Sequence, residues 1–279
     1  PETWKKANPN LGISVTEDYL TTEAKRASEL PSYENTFKRL HLNQWTSTFT
    51  KWISDSVWME NYEEIDMESL KGKQCWGGLD LASTMDLSSL VLFFPMEDQK
   101  DVVLVWFWCP EQSAELRGRK YKLPYDEWIA DGYIKATEGD VQDYAYIRDD
   151  INNIIKDYDL QSIAFDRWNS SQLIIQLSQQ DGIPMSQFGQ GYRSMSAPTK
   201  ELEKMVLKKE INHLRNPVLR WQCENVTLQT DPADNIKINK KRSSEKVDGM
   251  VALVMAIGEW MTDENEGESI YNERGILTF

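Results

Sequence analysis

Residues 74–95 read QCWGGLDLASTMDLSSLVLFFP, and the rest of the chain can be interpreted outward from them. They hold two apolar runs, Gln74–Asp80 and residues 87–95, joined by a connection of a few residues. A third apolar run, residues 102–109, follows after a second short turn. Apolar runs of strand length with such short connections predict an antiparallel meander of three strands.

Beyond the meander, helical patterns alternate with short apolar runs. Strands are predicted at residues 162–165 and at Met185–Phe188, and helices at residues 142–158, 170–180, 199–211 and 244–261. Tyr125–Ala130 is interpreted as part of a polar connection, and residues 220–241 as irregular strand and loop. This order predicts an α/β fold whose mixed sheet has an antiparallel edge, with parallel strands behind it and flanking helices.

The first seventy residues contain helix signals but no strand pattern. Thr16 is a suitable N-cap because Glu17 and Asp18 follow it, and the helix should end before Pro31. Further short helices are predicted from Ser32 and over residues 54–65. We expect residues 1–70 to form a linker that either packs on the next domain through residues such as Trp45, Trp52 and Trp58 or remains mobile.

Composition excludes several classes of protein. With 279 residues, 40% hydrophobic and 27% charged, the chain can bury an ordinary core. A net charge of −14 excludes a globally basic coat for nucleic acid. The three cysteines are scattered and only two histidines are present, which argues against a disulfide framework and against a Cys/His zinc site. No apolar run reaches the length of a membrane span, so no membrane partner is expected.

The N-terminal residue also carries an expectation. Pro1 cannot be an initiator residue, and no signal peptide follows it. We therefore expect the chain to be a fragment of a longer protein or a processed product.

Four acidic residues lie where ligands usually bind. Asp80 and Asp166 each end an apolar strand, and strand ends of open α/β sheets form the usual binding edge. Asp248 falls in the first turn of the last helix, beside an apolar stripe that should be buried. Asp86 lies across a short connection from Asp80, so a hairpin would bring the two acids to the same end.

Carboxylates gathered in this way predict a site for a hard cation. They repel one another unless they are protonated or bind a metal, and Mg²⁺ and Mn²⁺ prefer oxygen ligands. A single Asp at a strand end or a helix start is more often a cap or a turn residue. The spacing of Asp80, Asp166 and Asp248 alone leaves both interpretations open.

Basic residues are concentrated just before Asp248. Residues 193–246 contain 12 basic and 7 acidic side chains, an excess of +5 in a chain that is acidic overall. For Lys200–Lys209 the better interpretation is an ordinary solvated helix face. The basic residues nearest Asp248 favour contact with DNA phosphates instead; they are Lys240, Lys241, Arg242 and Lys246.

Several motifs, in order, resemble the nuclease domain of the large terminase subunits of tailed phages. They are the run GLDLASTMDL at residues 78–87, FDRWN at 165–169, QGY at 190–192, SAPTKEL at 196–202, NPVLRW at 216–221 and KVDGMVAL at 246–253. The resemblance covers residues 74–260, and residues 1–70 look like the stretch that joins the packaging ATPase to the nuclease in that family.

The resemblance implies a ribonuclease-H-like nuclease domain at residues 71–262, followed by an acidic tail at 263–279. It implies a metal-dependent endonuclease that cuts concatemeric double-stranded phage DNA during genome packaging, with two Mg²⁺ or Mn²⁺ ions. Asp80, Asp166 and Asp248 match the metal-binding acids of the family, and Asp86 matches an additional acid near the metals. The implied partners are DNA, the portal protein and the small terminase subunit, in the host-cell cytoplasm and transiently at the procapsid portal.

One departure from a complete large subunit limits what is implied. The chain contains no G-x-x-x-x-G-K phosphate loop, so ATP hydrolysis is not expected of it. Two other interpretations remain open. One is a transposase or Holliday-junction resolvase of the same fold. The other is a docking domain without catalysis that attaches the motor to the portal, which would not need Asp80, Asp166 and Asp248 together.

Overall fold

The structure is a computed structural model that describes residues 2–44, 52–82, 86–166 and 172–267. Within these residues, seven strands form one mixed sheet in the order β4-β3-β2-β1-β5-β6, and β7 pairs with the far end of β3. The strands of this sheet are β1 Gln74–Asp80, β2 Ser88–Phe94, β3 Asp101–Pro110, β4 Lys135–Thr137, β5 Asp159–Asp166, β6 Met185–Phe188 and β7 Ile211–Asn212. A separate antiparallel pair is formed by β8 Leu228–Thr230 and β9 Ile236–Ile238.

Helices surround this sheet. They are α1 Glu2–Ala7, α2 Glu17–Glu29, α3 Pro31–His41, α4 Asp55–Met59, α5 Glu111–Tyr121, α6 Tyr125–Ala130, α7 Tyr144–Ile154, α8 Gln172–Ile175, α9 Tyr192–Lys208, α10 Pro217–Asn225 and α11 Asp248–Gly267. A 3-10 turn, Met67–Leu70, precedes β1, and a π-helical turn, Gln176–Gln180, continues α8. Among the described residues, no helix has both the length and the apolar character of a membrane span.

The predicted meander is present. β1 pairs antiparallel with β2, and β2 pairs antiparallel with β3. β5 pairs parallel with β1, and β6 pairs parallel with β5. The antiparallel edge with parallel strands behind it confirms the α/β class.

The sheet is the middle of three layers. Every residue of β2 is buried, and its side chains alternate between two cores. Val91 and Phe93 pack into the core that contains α9 and α11, whereas Leu90 and Leu92 pack into the core under α7 and α8. A strand that is buried on both faces has a nearly continuous apolar sequence, as residues 87–95 do.

Helix α11 packs directly on β1, and Gly78 makes this possible. A Cβ atom at Gly78 would lie 2.9 Å from the backbone nitrogen of Ala256 and closer still to the carbonyl oxygen of Ala252. Two hydrogen bonds also join α11 to the sheet: Trp76 Nε1 donates to Asp263 Oδ2 at 3.0 Å, and Ser162 Oγ donates to Glu259 Oε1 at 2.7 Å. The start of α11 is thereby fixed relative to the end of β1.

Three expectations for local structure were wrong. Tyr125–Ala130 is a helix with Tyr125 and Trp128 buried, not a polar connection, and α5 precedes it. The helix predicted to start at Thr199 starts at Tyr192 and contains Pro198. The start of the stretch predicted as irregular strand and loop, residues 220–241, belongs instead to the helix α10, whereas the strands β8 and β9 that follow agree with that prediction.

The N-terminal residues contain two kinds of segment. Thr16 caps α2 by accepting from the backbone of Tyr19, and α2 ends before Pro31, as predicted. Trp52 and Trp58 are buried in the same core as α9 and α11, although the helix there is limited to Asp55–Met59. Trp45 lies outside the described residues, as do residues 268–279 of the predicted tail.

Candidate active site

Two of the predicted acids end neighbouring parallel strands. Leu79 pairs with Phe165, so Asp80 and Asp166 follow at the same level of β1 and β5. Side chains alternate along a strand, and Ala164, two residues before Asp166, packs in the core of α11. Gly78, two residues before Asp80, faces α11 directly. Both carboxylates therefore lie on the α11 side of the sheet.

The third acid arrives from α11 itself. Asp248 is the first residue of the helix, and its Oδ2 atom is buried without a hydrogen-bond partner among the described residues. Burial, and then the negative charge of Asp80, raise the pKa of Asp248 to about 7. Gly249 allows the helix to start here, because its amide donates to Gln222 Oε1 at 2.6 Å and a Cβ would meet Phe107 at 2.7 Å.

A lysine occupies the space between these acids. Lys240 Nζ lies 2.5 Å from Asp80 Oδ2, while Asp80 itself is 2% exposed. Burial alone would lower the pKa of Lys240, but the charges of Asp80, Asp248 and Asp166 outweigh it and raise this pKa. The other oxygen of Asp80, Oδ1, is 3.4 Å from the side-chain amide of Gln190.

Asp86 lies in a second group of charges. It accepts from Lys246, and Arg117 of α5 lies 3.2 Å from its Oδ1 atom and 3.6 Å from Glu245. Asp86 also contributes to the raised pKa of Asp248, which places it within electrostatic reach of the first group. The hairpin between β1 and β2 thus brings Asp80 and Asp86 to one end, as expected.

Hydrogen bonds from α7 and from the residues just before it fix the connection between β1 and β2. Tyr144 Oη donates to the carbonyl of Ala82 at 2.6 Å, and the Gln142 side chain donates to the carbonyl of Asp86. Residues 83–85 between them lie outside the description, as do 167–171 after Asp166.

The remaining predicted basic residues follow β9. Lys241 and Arg242 are exposed, and the backbone amides of both are held by Asn239 Oδ1 at 3.1 Å. Lys240 and Lys246, in contrast, pair with Asp80 and Asp86. By comparison, Lys204 of α9 pairs with Glu201 of the same helix, as expected for an ordinary solvated face.

In the described part of the chain, no three Asp, Glu, His or Cys side chains are spaced to hold one ion as they stand. The four predicted acids do converge, but two lysine amines lie on their oxygens. Sequence reasoning missed Gln190 and Arg117 as members of this site. Gln190 is the first residue of the motif QGY, which is a signal that could have indicated it. Arg117 lies in α5, a helix for which the sequence analysis made no prediction.

Comparison with known proteins identifies the family. The family model for the endonuclease domain of the terminase large subunit matches residues 1–264. The chain belongs to this family. It is 37% identical over 262 residues to the terminase large subunit of Enterobacteria phage HK97. This match covers 92% of this chain and 51% of that protein.

One further curated protein and one solved structure are similar to the chain. Protein YmfN of Escherichia coli K12 is 30% identical over 277 residues, which cover 95% of this chain and 61% of YmfN. The crystal structure of the HK97 bacteriophage large terminase matches with a TM-score of 0.69 and 34% identity, over 92% of this chain and 53% of that one. The chain thus spans about half to three fifths of the curated relatives it matches. The fold is that of a terminase nuclease domain, as the motifs implied.

Proposed function

We propose that this terminase nuclease domain cuts double-stranded DNA during phage genome packaging, with divalent ions held by Asp80, Asp166 and Asp248. The observation that carries the proposal is the buried Oδ2 atom of Asp248, which lacks a hydrogen-bond partner in the described residues and lies beside the buried carboxylate of Asp80. A buried carboxylate oxygen needs a partner, and a cation would supply it.

The donor set fits Mg²⁺ or Mn²⁺. All the candidate ligands are carboxylate oxygens on rigid elements, two at strand ends and one at a helix start. Asp86 is the fourth acid, placed to complete a second ion site or to orient the first. Two bound ions of this kind would activate a water and stabilise the leaving oxygen of a phosphodiester.

Different residues of the chain would have different roles in binding the metal and the DNA. Asp80 and Asp166 fix one side of the site from neighbouring strands, and Asp248 closes it from α11. Lys241, Arg242 and the displaced amines of Lys240 and Lys246 would hold DNA phosphates beside the acids. Water is the nucleophile, and no covalent intermediate is required.

The whole large subunit would supply the rest of the packaging reaction. We propose that residues 71–262 form the nuclease and that residues 52–70 complete it, because Trp52 and Trp58 lie in its core. The earlier part of residues 1–70 would link it to the ATPase domain of the large subunit. The acidic tail predicted at residues 263–279 would start after α11, which continues to Gly267. The portal protein and the small terminase subunit would be the partners, in the host cytoplasm and at the procapsid. A docking role alone would not require the three converging acids.

Plasmid cleavage tests the proposal. The chain should nick or linearise plasmid DNA with Mn²⁺ or Mg²⁺ and should be inactive in EDTA. Asp80→Asn, Asp166→Asn and Asp248→Asn should each abolish cleavage, since an amide keeps the shape but loses the charge that holds the cation. Asp86→Asn should reduce cleavage by roughly 10- to 100-fold, as expected of an outer or shared ligand.

The matched control is Asp98→Asn, at an exposed position in the turn between β2 and β3. This turn is at the opposite end of β2 from the acids, so Asp98→Asn should cleave like the wild type. Circular dichroism should show that every variant is folded. Full activity of Asp80→Asn, Asp166→Asn or Asp248→Asn with Mn²⁺ present would remove that residue from the site.

A further inference from the structure

The side chain of Lys240 enters the group formed by Asp80, Asp166 and Asp248. Its ammonium is 2.5 Å from Asp80 Oδ2, and the negative charges of Asp248 and Asp166 also attract it. The Lys240 side chain is 36% exposed, so a path to solvent remains open to it. One monovalent cation therefore lies where the proposed function requires divalent ones.

The backbone that carries Lys240 is fixed. The backbone amide of Asn239 donates to the carbonyl of Thr227 at 2.8 Å, and its side chain accepts from the amides of Lys241 and Arg242. Ser243 Oγ in turn donates to the carbonyl of Asn239 at 2.9 Å and accepts from the amide of Thr227 at 3.2 Å. Leaving Asp80 thus requires rotation of the Lys240 side chain and no rearrangement of the loop.

We propose that Lys240 is a built-in competitor of the metal: its ammonium holds Asp80 until a divalent cation displaces it, and the released lysine then contacts a DNA phosphate. This inference rests on the proposed function and names a further role for a residue of that site. It makes metal binding and DNA binding mutually supportive, because each draws on the released state of the same side chain. Without metal, the acids stay neutralised and Lys240 is unavailable to DNA.

Metal affinity in the absence of DNA gives the first test. Mn²⁺ binding to the whole chain would be measured by titration calorimetry. Lys240→Met, which keeps the aliphatic stem and removes the charge, should bind Mn²⁺ about tenfold more tightly, since one charge-assisted competitor is gone. Lys240→Arg retains a cation and should stay close to the wild type.

Lys71→Met is the matched control for charge removal. Lys71 pairs with Glu68 at 2.8 Å before the start of β1, at the other end of that strand from Asp80, so its loss should leave Mn²⁺ affinity unchanged. If Lys240→Met is less stable without metal because the acids then repel, the rise of its melting temperature on adding Mn²⁺ should exceed that of the wild type. An equal or weaker Mn²⁺ affinity in folded Lys240→Met would overturn the proposal.

Duplex binding gives the second test. By fluorescence anisotropy, Ca²⁺ should tighten DNA binding by the wild type, and this tightening should be about threefold smaller in Lys240→Met. A full Ca²⁺ effect in Lys240→Met would show that the released lysine does not contact DNA. Asp80→Asn separates the two levels of inference. If it binds Mn²⁺ as the wild type does, the metal site itself is wrong; if it loses Mn²⁺ while Lys240→Met gains nothing, only the competitor role is wrong.

Discussion

His213 shows how far a single buried residue can set the pH range of this domain. Its ring is completely buried and stacks on Trp58 with centroids 4.2 Å apart. The amide of Arg215 donates to Nδ1 at 3.2 Å, so Nδ1 is an acceptor, and Nε2 then carries the proton donated to the carbonyl of Trp58 at 2.8 Å. The ring is neutral because burial lowers the pKa of His213 to about 4.

This pKa predicts a loss of stability in mild acid. The unfolded chain takes up a proton on this histidine near its ordinary pKa of about 6.5, whereas the folded chain does so only near 4. The contribution to stability is therefore complete above the unfolded pKa and is lost as the pH falls from about 6.5 towards 4. Between pH 7 and pH 5 the loss should be about 2 kcal/mol.

Urea unfolding of His213→Phe at both pH values measures this loss. The variant keeps a ring against Trp58 but cannot titrate; it should be less stable at pH 7, with a change towards pH 5 that is about 2 kcal/mol smaller than in the wild type. His41→Phe removes the other histidine of the chain, at the end of α3, and is the control. Equal pH dependence of His213→Phe and the wild type would refute the assignment.

At the scale of elements, the loop after β9 should carry the contact with DNA. Replacing Lys240, Lys241 and Arg242 together by Ala should weaken duplex binding in Ca²⁺ without regard to sequence. The slope of log affinity against log salt should become shallower by up to about 3, since each phosphate contact contributes about 0.9. The measurement is a salt titration followed by fluorescence anisotropy.

A triple variant of α9 and its end is the matched control for this loop. Lys204, Lys208 and Lys209 pair with Glu201, Glu210 and Glu60. Their replacement by Ala removes the same charge but should leave the slope unchanged. If the two triple variants shift the slope equally, the loop has no special role and general charge explains the binding.

The packing of α11 on β1 gives a second prediction at this scale. Gly78→Ala would force α11 away from the strand, because its Cβ would lie 2.9 Å from Ala256 N. The variant should lose about 3 kcal/mol or more of unfolding free energy, at the upper end of the cost of overpacking. Any folded fraction should cleave poorly, since Asp248 would shift relative to Asp80. Thermal melts and plasmid cleavage measure both effects.

Gly118→Ala is the control for Gly78→Ala. Gly118 is in α5, and a Cβ there would meet its nearest neighbour, the carbonyl oxygen of Leu123, at 3.4 Å. The alanine should be neutral or stabilising, because glycine is a poor helix former. Equal melting temperatures for Gly78→Ala and the wild type would show that α11 can move without cost.

The elements that were predicted well carry their own signals. The bounds of β1 agree with the prediction, because an apolar run bounded by turn residues defines a strand locally. A strand was predicted near Met185–Phe188, and β6 lies there. Helix α9 was predicted to start at Thr199 but starts at Tyr192, with Pro198 inside it. A proline inside a helix gives up one backbone hydrogen bond, so the local sequence does not indicate a helix that continues through it. The pairing of Lys240 with Asp80 joins residues 160 positions apart, and no local pattern indicates it. The acids could be predicted as a group; the amines on them could not.

At the scale of the whole molecule, the first 70 residues divide into two parts that pack differently. Helices α2 and α3 contact mainly each other, and their buried residues Leu20 and Phe37 lie outside the two main cores. The guanidinium of Arg26 lies 3.9 Å from the carboxylate of Asp234, which precedes β9. Both side chains are exposed, so this long ion pair contributes little to stability. Residues from 52 onward, in contrast, enter the main core.

This division predicts different outcomes for two truncations. A chain that starts at residue 52 should keep its fold and its metal-dependent cleavage, because α1, α2 and α3 add little to the main cores.

A chain that starts at residue 70 loses Trp52 and Trp58, each 1% exposed, and the hydrogen bond from the Asn61 side chain to the carbonyl of Val206. Loss of a buried Trp costs about 3–5 kcal/mol, so two such losses should remove most of the roughly 5–15 kcal/mol by which an ordinary domain is stable. Circular dichroism, melting temperature and plasmid cleavage compare both with the full chain. A stable, active protein that starts at residue 70 would show that the nuclease begins at β1, as the boundary predicted at residue 71 implies. Loss of cleavage in a folded chain that starts at residue 52 would show that α2 and α3 help to build the active site.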